Sequence, residues 1–139
     1  VDVTELTIAA AEEMLRANLA PWVQDMDITI EAIGPDGAVL RAPPSPRLSR
    51  VGGTICGQAI MALADTAMIF AVAGVLGDFR PITTVNQTST FLRPAADADL
   101  VARASIIKPG RTLMYGEVTL TAGNPDKPVA HATSTYMLL

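Results

Sequence analysis

Apolar residues recur at helical spacing from Thr4 to Leu19. Leu6, Ala9, Ala10, Met14, Leu15 and Leu19 fall toward one side, and Glu12 and Glu13 lie on the polar side. The pattern predicts a short amphipathic lead-in helix, capped by Thr4 and ended by Pro21. From Asp27 to Ile33 the rhythm changes to alternation, led by Ile28 and Ile30. Gly34-Pro35-Asp36-Gly37 is a turn by composition, and Ala38 to Arg41 follows as a second strand, so the segment predicts a β-hairpin. The prolines in Ala42-Pro43-Pro44-Ser45-Pro46-Arg47 predict a stiff, extended loop running into Val51-Gly52-Gly53-Thr54.

Between Val51 and Gly77 the only charged residue is Asp65. Gly57 to about Leu76 is rich in Ala, Met, Leu and Ile, which is strong helix material. A membrane span is disfavoured, because the uninterrupted apolar runs fall short of about 18 residues and a mid-span carboxylate without a partner is costly. A helix apolar nearly all round must instead be covered on most sides by protein. After Pro81 the pattern turns to period two and β-branched residues, over Ile82 to Leu92, Leu100 to Ile107, Thr112 to Thr121 and Pro128 to Leu138. The breaks at Arg93-Pro94-Ala95, Lys108-Pro109-Gly110 and Gly123-Asn124-Pro125-Asp126 are turn signals, and the four runs read as an antiparallel meander. The fold class is therefore α+β, with a long central helix against an antiparallel sheet of about five or six strands. The sheet covers that helix on one side, a second copy of the chain could cover the other, and the lead-in helix covers an edge or end.

Composition narrows the function. The 139 residues make one domain. Half are hydrophobic and 17% charged, which excludes disorder. So little charge fits either a compact apolar core or a surface buried in an oligomer. The net charge of −4, scattered basic residues and sparse aromatics argue against nucleic-acid binding. One cysteine, Cys56, precludes an intramolecular disulfide and a cysteine zinc site, and one histidine, His131, precludes a two-histidine metal site. The first eleven residues carry no basic region followed by an apolar run, so a cytoplasmic location is expected.

Two residues stand out chemically. A carboxylate midway along an apolar helix is costly to bury charged unless it is hydrogen-bonded or lies at a cleft. Asp65 is thus either a structural acid bonded to its surroundings or a functional one. Gly57 sits at the expected first turn, where backbone amides are unpaired and a glycine lets a ligand carbonyl approach; simple helix initiation is the plainer reading. Eight residues of continuous helix separate the two by roughly 12 Å. One carbonyl cannot touch both in one chain. If both act on one substrate, they come from two copies with antiparallel helices, in a two-fold dimer.

Gly52-Gly53-Thr54-Ile55-Cys56-Gly57-Gln58, followed by Ala62-Leu63-Ala64-Asp65-Thr66-Ala67, resembles a "G-x-x-H-G-G … L-A-D-x-A" signature. Thr88-Ser89-Thr90-Phe91-Leu92-Arg93-Pro94-Ala95 resembles the strand "N-x-x-F-L-R-P" that accompanies it, and Lys108-Pro109-Gly110-Arg111 the turn "x-x-G-R/K". These motifs, in this order over Asp27 to Leu139, resemble the hot-dog-fold acyl-CoA thioesterases of the phenylacetate-pathway (PaaI-like) branch. The resemblance implies a hot-dog fold and hydrolysis of a small or medium acyl-CoA to free acid and CoA, with no cofactor and no metal. It also implies a homodimer, with pairing into a homotetramer as an option. It places the helix acid, as general base or nucleophile, on Asp65 and the carbonyl-polarising amide on Gly57. An orienting side chain seven residues earlier falls on Arg50, a hydroxyl from the strand entering "F-L-R-P" falls on Thr84, and contacts to CoA phosphates fall on Lys108 and Arg111.

The sequence departs from this pattern in three places. Cys56 replaces the usual His, Gln58 the second glycine, and Arg50 a neutral amide. These departures motivate an alternative, a hot-dog protein that binds acyl-CoA without turning it over. Cys56 as a thiol nucleophile is a further reading. His131 reads as a structural histidine in the last strand, Met61 and Met68 as core or pocket lining, and Arg93 as a strand-ending residue paired with a carboxylate.

Overall fold

A computed structural model describes residues 6–139. The first helix, α1, spans Ile8–Asn18 and is capped by Thr7, whose hydroxyl accepts from Ala10 N–H at 3.1 Å. The cap expected at Thr4 lies outside the described residues. Ala11 and Leu15, one turn apart, are its buried face, and it packs against the first strand. Pro21 does not simply end this helix. With its φ preset for a first helical turn, it opens a second one, α2, Pro21–Gln24.

Strands β1 (Thr29–Gly34) and β2 (Gly37–Ala42) form the expected hairpin, with Gly34 paired to Gly37 across the turn. Gly37 has φ +127°, which favours glycine there. The proline-rich stretch holds one 3-10 turn, Pro46–Leu48, before the chain enters α3.

Helix α3 spans Gly57–Leu76, as the composition predicts. Gly77 ends it in the left-handed region (φ +73°), its N–H returning to Ala73 O at 2.8 Å. α3 is the one helix among the described residues long and apolar enough to cross a bilayer, and twelve of its 20 residues are buried in the protein. Leu63, Ala67, Met68, Phe70 and Ala71 are fully buried. Against the sheet it lies mainly over β2, β4 and β5. Gly74 allows the closest approach: a Cβ there would stand 2.3 Å from Gly34 O.

The remaining strands are β3 (Ile82–Phe91), β4 (Leu100–Pro109), β5 (Leu113–Ala122) and β6 (Ala130–Leu138). They complete a six-stranded antiparallel sheet in the order β1-β2-β4-β5-β6-β3. The expected meander is correct for β4, β5 and β6 only. β3 does not pair with its successor β4, which is already flanked by β2 and β5; it crosses to the far edge and pairs with β6. Alternation along β5 and β6 buries Met114, Val118, Leu120, Ala132 and Tyr136 toward the helix. β3 is different, because none of its ten residues is buried. One long helix laid across a single antiparallel sheet, with an added N-terminal helix, is the hot-dog fold.

Candidate functional site

The pairing of β3 with β6 builds the site. Thr84 lies directly opposite Tyr136, and both point to the helix side of the sheet. Val85 then bulges out of register before Asn86 pairs with Thr135. The extra residue puts Gln87, three positions after Thr84, back on the helix side opposite Ser134. Above them, midway along α3, half-buried Asp65 presents its carboxylate.

Both facing hydroxyls reach one oxygen of that carboxylate. Thr84 donates to Asp65 Oδ1 at 3.0 Å, and Tyr136 donates to the same oxygen. The main-chain carbonyl of Asp65 is also within 3.2 Å of the phenol. Tyr136 is completely buried. Burial pushes its phenol far above the ordinary range, and the neighbouring Asp65 charge pushes the same way. Tyr136 therefore stays protonated and remains a donor. Asp65 opens onto a cleft of about 340 Å³ whose other walls include Trp22, Met61, Ile69, Thr84 and Gln87. Gln87 is held over the helix by donating to Met61 O at 3.4 Å.

Gly57 is the first residue of α3, preceded by Cys56, whose side chain makes no capping bond. The first α3 amide with an acceptor is that of Ala59, bonded to Cys56 O at 3.1 Å; those of Gly57 and Gln58 precede it and are left open by helix geometry. A Cβ at position 57 would lie 3.3 Å from the Phe91 ring, so the glycine keeps this end of the helix approachable. Gly57, Arg50, Phe91 and Arg93 line a second cleft of about 380 Å³. Arg50 Nε donates to Thr54 Oγ1 at 2.8 Å.

The four expected site residues thus fall into two pairs. Asp65 and Thr84 share one cleft, and Arg50 and Gly57 line the other. Along the continuous helix the pairs are separated by eight residues, roughly 12 Å. Gln58 reaches the Asp65 cleft. Lys108 and Arg111 are exposed at the β4–β5 turn and line neither cleft. His131 pairs with Glu117 at 3.4 Å, apart from both clefts. Met68 is core, whereas Met61 is part-exposed cleft lining. The carboxylate partner expected for Arg93 is replaced by a carbonyl: it donates to Pro128 O at 2.7 Å, because β3 runs beside the segment entering β6. Among the described residues no three His, Cys, Asp or Glu side chains gather into a metal-binding group.

Tyr136, Trp22 and Gln87 were not legible as site residues. A tyrosine in an alternating strand reads as core, and only the crossover of β3 reveals that its hydroxyl meets Asp65.

Comparison with known proteins agrees with this architecture. Residues 52–129 match the family model of the thioesterase superfamily. A Thermoplasma acidophilum protein named "Putative esterase Ta0293" is 26% identical over 107 residues, covering 74% of this chain and 77% of that one. The solved structure of a "putative thioesterase" from Silicibacter sp. TM1040 superposes with a TM-score of 0.84 at 29% identity, covering 98% of this chain and 95% of the other. Thioesterase HI1161 from Haemophilus influenzae shares the fold, with a TM-score of 0.85 at 21% identity over 96% and 91% of the two chains. The matched region runs from the loop before α3 to the start of β6 and so takes in the helix acid, the glycine at the helix start and the crossing strand: this chain belongs to the thioesterase superfamily.

Proposed function

We propose that this protein hydrolyses a small or medium acyl-CoA thioester to the free acid and CoA, as a member of the phenylacetate-pathway-like branch acting in the cytoplasm. The observation that carries the proposal is the Asp65 carboxylate, which opens onto a largely apolar cleft with two hydroxyls on one oxygen. A carboxylate so placed has a lone pair to offer and an apolar wall for an acyl chain beside it.

The reaction needs an electrophilic carbonyl held by a hydrogen-bond donor near that carboxylate. Gly57 is too far along the same helix, so the donor is Gly57 N–H of a second copy, with Arg50 of that copy beside it. The edge strand β3 supports this assembly, since a strand with one open edge and no buried residue is a natural surface for a two-fold partner. Asp65 takes a proton from water as the water oxygen bonds to the thioester carbon, or attacks that carbon itself to give an anhydride that water then opens. In both routes the C–S bond breaks and the thiolate of CoA recovers a proton. Thr84 orients the carboxylate. Lys108 and Arg111 offer positive charge to the phosphates of CoA at the protein surface. No metal or cofactor enters the scheme.

The test is thiol release from a panel of acyl-CoA esters by the wild type and by Asp65→Asn. The amide keeps the shape but is a poor proton acceptor, and turnover falls by about 10²–10⁴-fold. Full turnover by Asp65→Asn overturns the assignment. Tight binding of the esters by the wild type with no thiol release indicates the non-catalytic alternative.

A further inference from the structure

We infer that Tyr136 is a positioning residue for Asp65: with Thr84 it claims Oδ1 and fixes the carboxylate plane, so that Oδ2 alone is left to act on water or thioester. The inference rests on the proposed thioesterase reading and adds a residue from the last strand to it.

Three observations carry it. Tyr136 is fully buried in the sheet yet directs its only polar atom at Asp65, 71 residues earlier in the chain. Thr84 is its direct cross-strand partner, so one backbone register sets both hydroxyls against the same oxygen. The two oxygens of a carboxylate offer about four acceptor positions between them. Two hydroxyl donors on Oδ1 fill its share, while no protein donor among the described residues approaches Oδ2. Rotating the carboxylate by half a turn exchanges two chemically identical oxygens and leaves the same arrangement, one held and one open.

The surroundings keep the phenol in this role. Ser134 precedes Tyr136 by two positions on the same face of β6, and its buried hydroxyl has no hydrogen-bond partner. The phenol donates instead to the Asp65 carboxylate, and charge-assisted bonds are the stronger kind.

The experiment is steady-state kinetics of Tyr136→Phe on the acyl-CoA that the wild type turns over fastest. Phenylalanine keeps the ring in its buried place and deletes only the donor. A hydrogen bond to a charged group is worth a rate factor of roughly 10 to 100 when it is lost from the reacting arrangement. The expected result is a fall in kcat of that size with KM within about twofold, since a group that orients the carboxylate does not bind the acyl chain. Unchanged kcat, or a loss confined to KM, overturns the role of Tyr136. A wild type that turns over no acyl-CoA removes the thioesterase reading instead, so the two failures are distinguishable. Should Tyr136→Phe not fold, the near-ultraviolet difference spectrum between wild type and Asp65→Asn decides. A shifted tyrosine band upholds the contact, and an unshifted one overturns it.

Discussion

Replacing Gly74 with alanine tests the packing that seats α3. Gly74 lies in the last turns of α3, where the helix crosses the β1–β2 turn. A Cβ added there would stand 2.3 Å from Gly34 O and 3.0 Å from Gly34 C. Carbon meets a carbonyl oxygen at about 3.3 Å at closest, so helix and turn would have to part by roughly 1 Å. Both sides of the clash are backbone, and no rotamer change can relieve it. Overpacking of this kind costs about 1–3 kcal/mol, and the immobile neighbour places Gly74→Ala near the upper end. Alanine returns about 1 kcal/mol as the better helix former. The net loss is about 2 kcal/mol, which for a domain of this size lowers Tm by roughly 6 °C. Thermal unfolding followed by circular dichroism measures it directly. A Tm at or above that of the wild type would show that propensity outweighs contact and that α3 does not sit on the turn as described.

Two further outcomes follow from particular residues. The Tyr136 phenol is raised in the folded state, so its contribution to stability is fully present below its unfolded value near pH 10 and is lost as pH rises beyond it, by up to about 1.4 kcal/mol per pH unit. Denaturant titrations from pH 9 to 11 should show the wild type losing stability faster than Tyr136→Phe; parallel slopes would contradict the burial of the phenol. The double variant Lys108→Gln, Arg111→Gln should raise KM for acyl-CoA at low salt with kcat unchanged, and the difference should shrink as ionic strength rises. A salt-independent KM in both proteins would exclude these side chains from phosphate contact.

Much of the architecture could be read from residue order. The bounds of α3 follow from a glycine-rich entry and a terminal Gly77, with continuous helix formers between them. The hairpin follows from Gly34-Pro35-Asp36-Gly37. Strand neighbours could not be read this way. Alternation tells which face a residue occupies and says nothing of what lies beside it, so the passage of β3 from the expected meander to the far edge is invisible until the sheet is assembled. The site role of Tyr136 gives no signal because its partner strand is unknown, and Arg93 is assigned a carboxylate because the carbonyl of Pro128 is not yet its neighbour. The start of α1 is decided locally. Thr4 and Thr7 are equally good capping residues by type, and Thr7 is the one whose hydroxyl meets Ala10 N–H.

The bare outer strand also has a consequence for regulation. In the two-copy arrangement proposed above, each working centre is completed across that border, and output is governed by mass action. Specific activity, which for a self-sufficient catalyst is constant on dilution, should here decline once the protein becomes scarce enough for copies to separate. The amount of chain a cell makes would then set both how many catalysts it holds and what fraction of them are complete.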